Sequence, residues 1–571
     1  MKHFLLLTIT IFYFSVLQSQ THSDFLGAGH DNGISVTTSH NENSSNTGVK
    51  SVDGFEVANT TALADASRFL AQATMGYDYE TIQMTAAMGF EAWIDEQFTL
   101  PRQSYEDLGE IISEAGEAGQ GWSNYRSAWW NYVLSSPDQL RQRMNYNLSE
   151  LLVVSGFGND FFEDVGNLSN VYYDVLGDHA FGNYRTLLRD ISLNPSMGIY
   201  LSHFNNPRSD PANNIHPDEN YAREVMQLFS IGLYELNNDG SRRLDGSGNF
   251  IPTYDNDDIR EFAKIFTGFG DGRPEGQWGI EIGELDLDSF STYPMKMYEQ
   301  WHEPGEKRLL NGQVAPAGQS GMQDLENAID NLHNHPNIGP FIGNALIQFL
   351  VTSNPSPQYI NNVANAYNNN GSDIRGDMQS VIKAILLDSE ARSCSPLTNP
   401  TAGKMREPVL RFTNYLRAFN AQNQTFLIDN MLDWIQATGQ APVFSPSVFN
   451  FFLPAYQPQG DIASANLVAP VFQIHNSSTS IGYVNKVDEW VFDENYLELT
   501  NPMLDFTSEM ELVDNTTALV NRLDILLACG QLSSNTKTIM VNALEQIDVD
   551  NDRLMLGIYL TMIAPDYAIL K

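Results

Sequence analysis

Apolar residues recur at the spacing of an α-helix from about Ala62 almost to the end of the chain, and this pattern constrains the fold most. Leu63, Phe69 and Ala73 share one helical face, and Gly76 follows as an expected C-terminal cap. A helix is also predicted to start with Ser136 as N-cap and Pro137 as its first residue. The same periodicity predicts helices at 79–88, 90–98, 184–191, 218–231, 257–266, 339–351, 374–387, 407–419 and 554–563.

Strand signals are few along this chain. Arg243-Leu244 and Phe250-Ile251 flank a glycine-rich turn and predict a small β-hairpin, and residues 277–282 are compatible with another extended segment. No repeat and no Pro/Ser-rich linker divides the interior. We therefore expect a mainly α fold, in which residues 61–571 form a single large multi-helix globular domain with a small β-hairpin insertion. Two lobes meeting near residues 300–340 are compatible with this pattern.

The N-terminus has the layout of a secretory signal peptide. Lys2 and His3 precede an apolar run over residues 4–17, and small and polar residues follow at 18–20. That run is shorter than the ~20 residues of a membrane-spanning helix. We expect residues 1–20 to be the signal peptide of a secreted or periplasmic protein that has no membrane span after cleavage; an uncleaved anchor is the alternative. Residues 21–60 are polar and lack periodicity, which predicts a flexible leader.

Charge excludes one class of partner. Asp and Glu outnumber Lys and Arg by 70 to 31, for a net charge of −39, and the charges are spread along the chain. Binding to nucleic acid requires clustered Lys and Arg on the protein surface. We therefore expect no nucleic-acid partner. A soluble acidic surface and a site for cations or cationic substrates are both compatible with this charge.

The chain has two cysteines, Cys394 and Cys529. In an exported protein they could form a disulfide that closes a long loop, which would stabilise the fold by ~3–5 kcal/mol. Two separate buried thiols are the alternative. The spacing alone does not decide between them.

Seven segments make the chain resemble a known family. They are ASRFLAQATMG, SSPDQLRQRMNYNLSELLVVSG, HPDENYAREVMQLFSIGLYELNNDG, PTYDNDDIREFAKIFTGF, IRGDMQSVIKAILLDSEAR, KMREPVLRF and VFSPSVFNFFLPAYQP. In this order they are similar to the successive blocks of the bacterial family known as domain of unknown function 1800, from about Ala62 to the closing TMIAPDYAIL. The resemblance implies a mainly helical exported bacterial protein, often encoded beside a phosphatase-like or sulfatase-like partner. It supplies no reaction.

One of these segments contains the densest group of polar residues. On a helix that starts near Asp218, Glu219 lies four residues before Arg223, and Asn220 lies four residues before Glu224. One interpretation is a capped helix start with an internal ion pair. The other is that Glu219, Arg223 and Glu224 form a buried polar cluster with a catalytic role, because apolar residues surround them in the sequence.

A second polar segment runs from Trp301 to Lys307 and, by the family resemblance, matches a pattern of His, acidic residue, Gly and Lys. His302 could transfer a proton or bind a ligand, and Lys307 could hold an anion. A solvated turn is the alternative. If the protein is an enzyme, we expect this loop to close over the N-terminal end of the 218–231 helix and to bring His302 and Lys307 to Glu219 or Glu224.

Metal-binding signatures of known types are absent from the sequence. The acidic turn that contains Asp239 and Asp245 could hold a divalent cation such as Ca²⁺, although its spacing differs from that of the 12-residue calcium loop. An ordinary acidic turn is the alternative.

Two functional hypotheses remain open at this point. The first is a hydrolase-like exported enzyme that acts on an extracellular polymer or ester, with Glu219, Arg223, Glu224, His302 and Lys307 as its catalytic residues. The second is a non-catalytic binding or assembly protein that supports an exported partner, because the chain lacks a known catalytic signature. Its 24 Tyr, 31 Phe and 8 Trp could contact a polysaccharide or a protein.

Overall fold

The helices begin where short polar side chains can accept hydrogen bonds from free backbone amides. In the computed structural model, which describes residues 60–114, 122–157, 166–280, 292–393, 399, 401–421, 431–492 and 504–571, Asp78 accepts a 2.7 Å bond from the Thr81 amide at one helix start. Asn183 caps a second helix through the Arg185 amide. Such caps stabilise a helix by ~1 kcal/mol each, so local sequence determines many of the helix starts.

The described residues contain 25 α-helices and three two-stranded antiparallel sheets. The first helices are α1 (Thr60–Ala73), α2 (Tyr79–Met88), α3 (Phe90–Thr99), α4 (Tyr105–Glu114), α5 (Trp122–Ser135), α6 (Gln139–Leu151), α7 (Gly166–His179), α8 (Tyr184–Leu193), α9 (Pro195–Tyr200), α10 (Asn220–Gln227), α11 (Asn256–Ile265), α12 (Gly321–His333) and α13 (Ile338–Leu350). The remaining helices are α14 (Pro357–Asn368), α15 (Met378–Leu386), α16 (Ser389–Arg392), α17 (Pro408–Ala418), α18 (Met431–Thr438), α19 (Asp461–Ser464), α20 (Ser477–Phe492), α21 (Thr507–Met510), α22 (Thr516–Ala528), α23 (Ser534–Leu544), α24 (Asp550–Ile563) and α25 (Pro565–Ala568).

The predicted mainly α fold class is therefore confirmed, with two local corrections. Asp138, rather than Ser136, is the N-cap of α6, so Pro137 lies outside the helix. The helix predicted over 218–231 is shorter, Asn220–Gln227. It ends early because the Phe229 amide donates to the Glu224 carbonyl, five residues back, at 3.1 Å. The sequence keeps its apolar periodicity beyond this end, so periodicity alone does not predict it.

The strands are short, and each pairs with the next or the preceding strand in chain order. They are β1 (Phe269–Gly270) with β2 (Lys296–Met297), β3 (Lys307–Arg308) with β4 (Val314–Ala315), and β5 (Lys404–Met405) with β6 (Ile569–Leu570). The predicted hairpin is present as a bridge between Leu244 and Phe250. The extended segment predicted over 277–282 is not a strand where it is described: residues 278–279 form a turn.

Helix α6 is a central element of the core. It packs against α1, α3, α7 and α13, and 11 of its residues are buried. The buried set includes the charged side chains Arg143 and Glu150. Burying an ion is unfavourable unless it is paired or hydrogen-bonded. The core around α6 must therefore supply polar partners from other parts of the chain.

Residues 55–571 form one compact unit. Among the described residues, no helix is both long and apolar enough to cross a membrane. The predicted signal peptide and the polar leader up to residue 59 lie outside the described residues, and so does Cys394. Cys529 is buried, and its Sγ accepts a 2.9 Å hydrogen bond from Arg406 Nη2. The disulfide thus stays a prediction, as do the two lobes.

The pairing of β5 with β6 brings the C-terminus to Lys404. Lys404 pairs with Leu570, and the preceding Gly403 has φ +102°. A Cβ on Gly403 would lie 2.5 Å from the Leu570 carbonyl oxygen. Gly89 also has a positive φ, of +89°, but nothing lies within 4 Å of its Cβ position.

These two glycines allow a matched test of the strand contact. Gly403→Ala and Gly89→Ala should each lower the free energy of unfolding by ~1 kcal/mol, because alanine is strained at a positive φ. Gly403→Ala should lower the free energy of unfolding by about 2 kcal/mol more than Gly89→Ala, because the strands must separate to admit the methyl group. Chemical denaturation of both variants measures the difference. Equal losses would mean that the β5–β6 contact tolerates a methyl group.

Candidate functional site

His302 and Lys307, predicted from their loop, form a buried cluster with Asp324 of α12. The Asp324 carboxylate lies 2.8 Å from His302 Nε2 and accepts a hydrogen bond from Lys307 Nζ. Nδ1 of His302 donates to the Thr267 carbonyl at 2.9 Å. Burial alone would raise the pKa of Asp324, but hydrogen bonds from His302, Lys307 and Gln319 outweigh burial and lower that pKa. The three side chains are at most 2 % exposed.

The loop that carries His302 packs against the segment that leads into α10. The Trp301 carbonyl accepts a bond from the Arg208 amide at 2.8 Å, and the Glu303 carboxylate accepts one from the Ser209 amide at 3.0 Å. Within the described residues, no hydrogen bond or ion pair joins His302 or Lys307 to the charged residues of α10. Their joint catalytic role stays a prediction.

The charged residues at the start of α10 do not form the buried cluster that was one of the two interpretations of the sequence. Glu219 and Arg223 pair at 3.3 Å with both side chains 41 % exposed, and such a surface pair contributes ~0–1 kcal/mol. Only Glu224 is buried. Burial raises the pKa of Glu224, and the nearby Arg223 charge partly offsets this. The interpretation as a helix start with an internal ion pair therefore holds for Glu219 and Arg223.

Asp239 and Asp245, the predicted cation ligands, both accept hydrogen bonds within turns. Asp239 accepts from the amide and the hydroxyl of Ser241, and Asp245 accepts from the amides of Ser247 and Asn249. These bonds lower the pKa of both carboxyls. In the part of the chain that the structure describes, no group of three or more His, Cys, Asp or Glu side chains could hold a metal ion. Calcium binding at this turn stays a prediction.

A second buried cluster, which the sequence did not single out, lies where α6 meets the start of α17. We call Glu150, Lys404 and Glu407 the carboxyl–lysine cluster. Glu150 lies in the last turn of α6, Lys404 is the first residue of β5, and Glu407 is the N-cap of α17. Their exposed fractions are 6 %, 5 % and 0 %. All three charges are therefore withdrawn from bulk water.

Two neutral side chains bridge the two carboxyls of this cluster. The Tyr146 hydroxyl lies 3.2 Å from Glu150 Oε1 and 2.9 Å from Glu407 Oε2. Gln440 Nε2 donates to the same two oxygens, at 3.1 Å and 2.8 Å. Lys404 Nζ donates to Glu407 Oε1 at 3.5 Å and to the Phe349 carbonyl at 2.5 Å. By contrast, Glu150 Oε2 has no hydrogen-bond partner among the described residues.

The environment shifts the pKa values of the two carboxyls in opposite directions. Burial, and next the negative charge of Glu407, raise the pKa of Glu150 well above its usual value. Burial would also raise the pKa of Glu407, but the charges of Lys404 and Arg143 outweigh burial and lower it. Burial lowers the pKa of Lys404 to about 8. The shifts therefore favour a proton on Glu150 beside an ionised Glu407 and a charged Lys404.

Glu150 and Lys404 also line a cleft with an otherwise mostly apolar wall. The cleft has a volume of about 870 Å³, which includes its open mouth. The apolar wall includes Phe341, Phe349, Phe449, Phe452, Leu453 and Val471. Phe449 and Leu453 are each 44 % exposed. An apolar ligand that enters the cleft would therefore meet an acid and an amine at the same wall.

Three of the sequence segments that carry the family resemblance meet at this site. SSPDQLRQRMNYNLSELLVVSG contains Glu150, KMREPVLRF contains Lys404 and Glu407, and VFSPSVFNFFLPAYQP lines the cleft. One sequence feature could have indicated this site: Lys404, Arg406 and Glu407 lie directly before Pro408, in a segment otherwise rich in apolar residues. Each charge alone resembles a capped helix start, so only the tertiary structure brings them together.

The comparisons with known proteins decide the family. The model of the family described as protein of unknown function (DUF1800) matches residues 68–569. The chain belongs to this family. None of the curated proteins and none of the solved structures matches it. The family match extends from α1 to β6, and thus includes both buried clusters.

The opposite pKa shifts of Glu150 and Glu407 lead to a matched prediction on stability. Glu407→Gln should lower the free energy of unfolding by about 3–5 kcal/mol, because it leaves Lys404 buried without its counter-charge. Glu150→Gln should change it by less than ~1 kcal/mol, because an amide replaces a neutral acid of the same shape. Denaturant titration at neutral pH measures both.

The pH dependence gives the same test a second readout. The pKa of Glu150 is raised in the folded state above the usual 4.5. The wild-type protein should therefore lose stability relative to Glu150→Gln as the pH rises above that value. Equal losses for the two substitutions, or a stability difference that does not change with pH, would mean that Glu150 is ionised.

Proposed function

We propose that the protein is an exported, hydrolase-like enzyme in which Glu150 delivers a proton to a substrate held in the apolar cleft. The observation that carries this proposal is the pair of adjacent carboxyls, Glu150 and Glu407, with oppositely shifted pKa values beside the cleft. Such pairs assign acid and base roles in enzymes, because one group can give a proton at a pH at which the other is already ionised. Glu150 lines the cleft, and its Oε2 has no hydrogen-bond partner among the described residues.

The cluster can supply the proton transfers of hydrolysis. Glu150 gives its proton to the leaving group, and the resulting carboxylate takes a proton from the attacking water, so the acid is regenerated. Glu407 is a positioning residue in this scheme: it is fully buried, and its charge keeps the proton on Glu150. Lys404 lines the cleft and can stabilise negative charge on a carbonyl oxygen.

The spacing of the carboxyls favours one substrate class over another. Glycosidases place their two carboxyls ~5–9.5 Å apart on opposite sides of the scissile bond. Glu150 and Glu407 instead share the same donors, Tyr146 and Gln440, and therefore lie on one side of any substrate. Together with the apolar wall, this favours an ester or amide with an apolar acyl or aromatic group over a polysaccharide.

Two other proposals compete with this one. In the first, the catalytic residues are His302 and Lys307 with Glu219, Arg223 and Glu224. In the second, the cleft binds an apolar segment of an exported partner and no reaction occurs, which the exposed Phe449 and Leu453 at the cleft favour. Export rests on the N-terminal sequence pattern, and a phosphatase-like or sulfatase-like partner rests on the family resemblance.

A substrate screen with matched variants tests this proposal. Purified protein is assayed on chromogenic esters and amides of increasing acyl length, and on polysaccharides, phosphate esters and sulfate esters, with and without divalent cations. Glu150→Gln should lower kcat on an apolar ester by ~10²–10⁴-fold. Glu80→Gln, an exposed control far in sequence from the cluster, should leave kcat unchanged.

Three results of the same screen would contradict the proposed function. If His302→Ala abolishes turnover and Glu150→Gln does not, the site is the His302 loop. If the protein binds apolar esters saturably in the cleft but turns over no substrate, the binding proposal holds instead. Activity on polysaccharides alone would contradict the assignment to an ester or amide.

A further inference from the structure

A second cavity lies on another side of Lys404 and is lined by three cationic side chains. Arg143, Lys404 and Arg406 line it, together with Gly76, Tyr77 and Leu570 among others. Its volume is about 330 Å³ including its mouth. The three cationic residues are 1 %, 5 % and 5 % exposed. Their charges are therefore concentrated in a small space that excludes bulk water.

The protein satisfies these cations only in part. Arg143 Nη2 donates to the Phe349 carbonyl at 3.0 Å, whereas its Nε and Nη1 have no partner among the described residues. Arg406 donates to the Leu527 carbonyl and to Cys529 Sγ, whereas its Nε has none. A buried unpaired donor costs ~1–3 kcal/mol, and more when it is charged. Three guanidinium nitrogens without a hydrogen-bond partner therefore belong to two residues that line the same cavity.

The charge balance of this region is also incomplete. Glu407 faces Lys404 directly, and both Glu407 and Glu150 attract Lys404 and Arg143. Arg406 adds a third cation, and none of the cavity-lining residues is acidic. An uncompensated buried charge costs several kcal/mol. A small anion in the cavity would supply both the missing charge and the missing acceptor.

We infer that this cavity, which we call the arginine cavity, is a binding site for a small inorganic anion of the size of chloride, held by Arg143, Arg406 and Lys404. The unpartnered N–H groups of the two arginines are its donors. The site is distinct from the apolar cleft, and its occupation does not depend on any catalytic activity. Its expected effect is on stability, because the anion binds the folded chain and not the unfolded one.

Chloride and gluconate provide the test of this site. Thermal unfolding is followed while chloride replaces gluconate, from about 1 mM to about 100 mM at constant ionic strength, and Tm should rise by about 2 °C. Arg143→Met should remove this dependence. Arg260→Met is the control, because Arg260 is 61 % exposed and does not line the cavity; it should keep the full shift.

Two outcomes of the titration would overturn the inference. The first is a wild-type Tm that is the same in chloride and gluconate, and the second is a chloride shift that survives in Arg143→Met. If Arg143→Met does not fold, a crystal of the wild-type protein soaked in bromide decides. An anomalous peak within hydrogen-bond distance of Arg143 and Arg406 supports the site, whereas a cavity that holds only water or nothing contradicts it.

Discussion

The pairing of Lys404 with Glu407 is the interaction on which the surrounding core depends. Both side chains are buried, and neither can be ionised there at acceptable cost without the other. The pair joins β5 to the start of α17, and Tyr146 and Gln440 connect it to α6 and to the segment after α18. The raised pKa of Glu150 follows from burial and from this pair, because one carboxylate already occupies the site. A structural requirement thus raises the pKa of an acid at the wall of a cleft.

The local part of this structure could be predicted from the sequence. Helix α2 has the predicted bounds, because apolar periodicity and the Asp78 cap lie within a dozen residues. The end of α10 could not be predicted, since the backbone departs from helical bonding there although the apolar periodicity continues. His302 and Lys307 were predicted as polar loop residues, but their partner Asp324, on another element, was not. Patterns among residues that are close in the sequence were sufficient to predict helices and turns, but not contacts between distant segments.

The carboxyl–lysine cluster could not be predicted for a related reason. Tyr146 and Glu407 are 261 positions apart, and neither lies in a known catalytic pattern. The densest polar segment, at the start of α10, attracted the catalytic hypothesis because its charges are adjacent in sequence. Adjacent charges on one helix satisfy each other at the surface, as Glu219 and Arg223 do. Charges that must be buried instead find partners across the chain, so isolated charges in apolar segments were the better indicators.

The central claim is that the folded protein holds Glu150 as a neutral acid beside an ionised Glu407 at neutral pH. Infrared difference spectroscopy measures this directly, because the C=O stretch of a protonated carboxyl is resolved from that of a carboxylate. The spectrum of the wild-type protein minus that of Glu150→Gln should show a protonated carboxyl band at neutral pH, and the same difference for Glu80→Gln should show only a carboxylate band. A wild-type minus Glu150→Gln spectrum that contains only a carboxylate band would contradict the account.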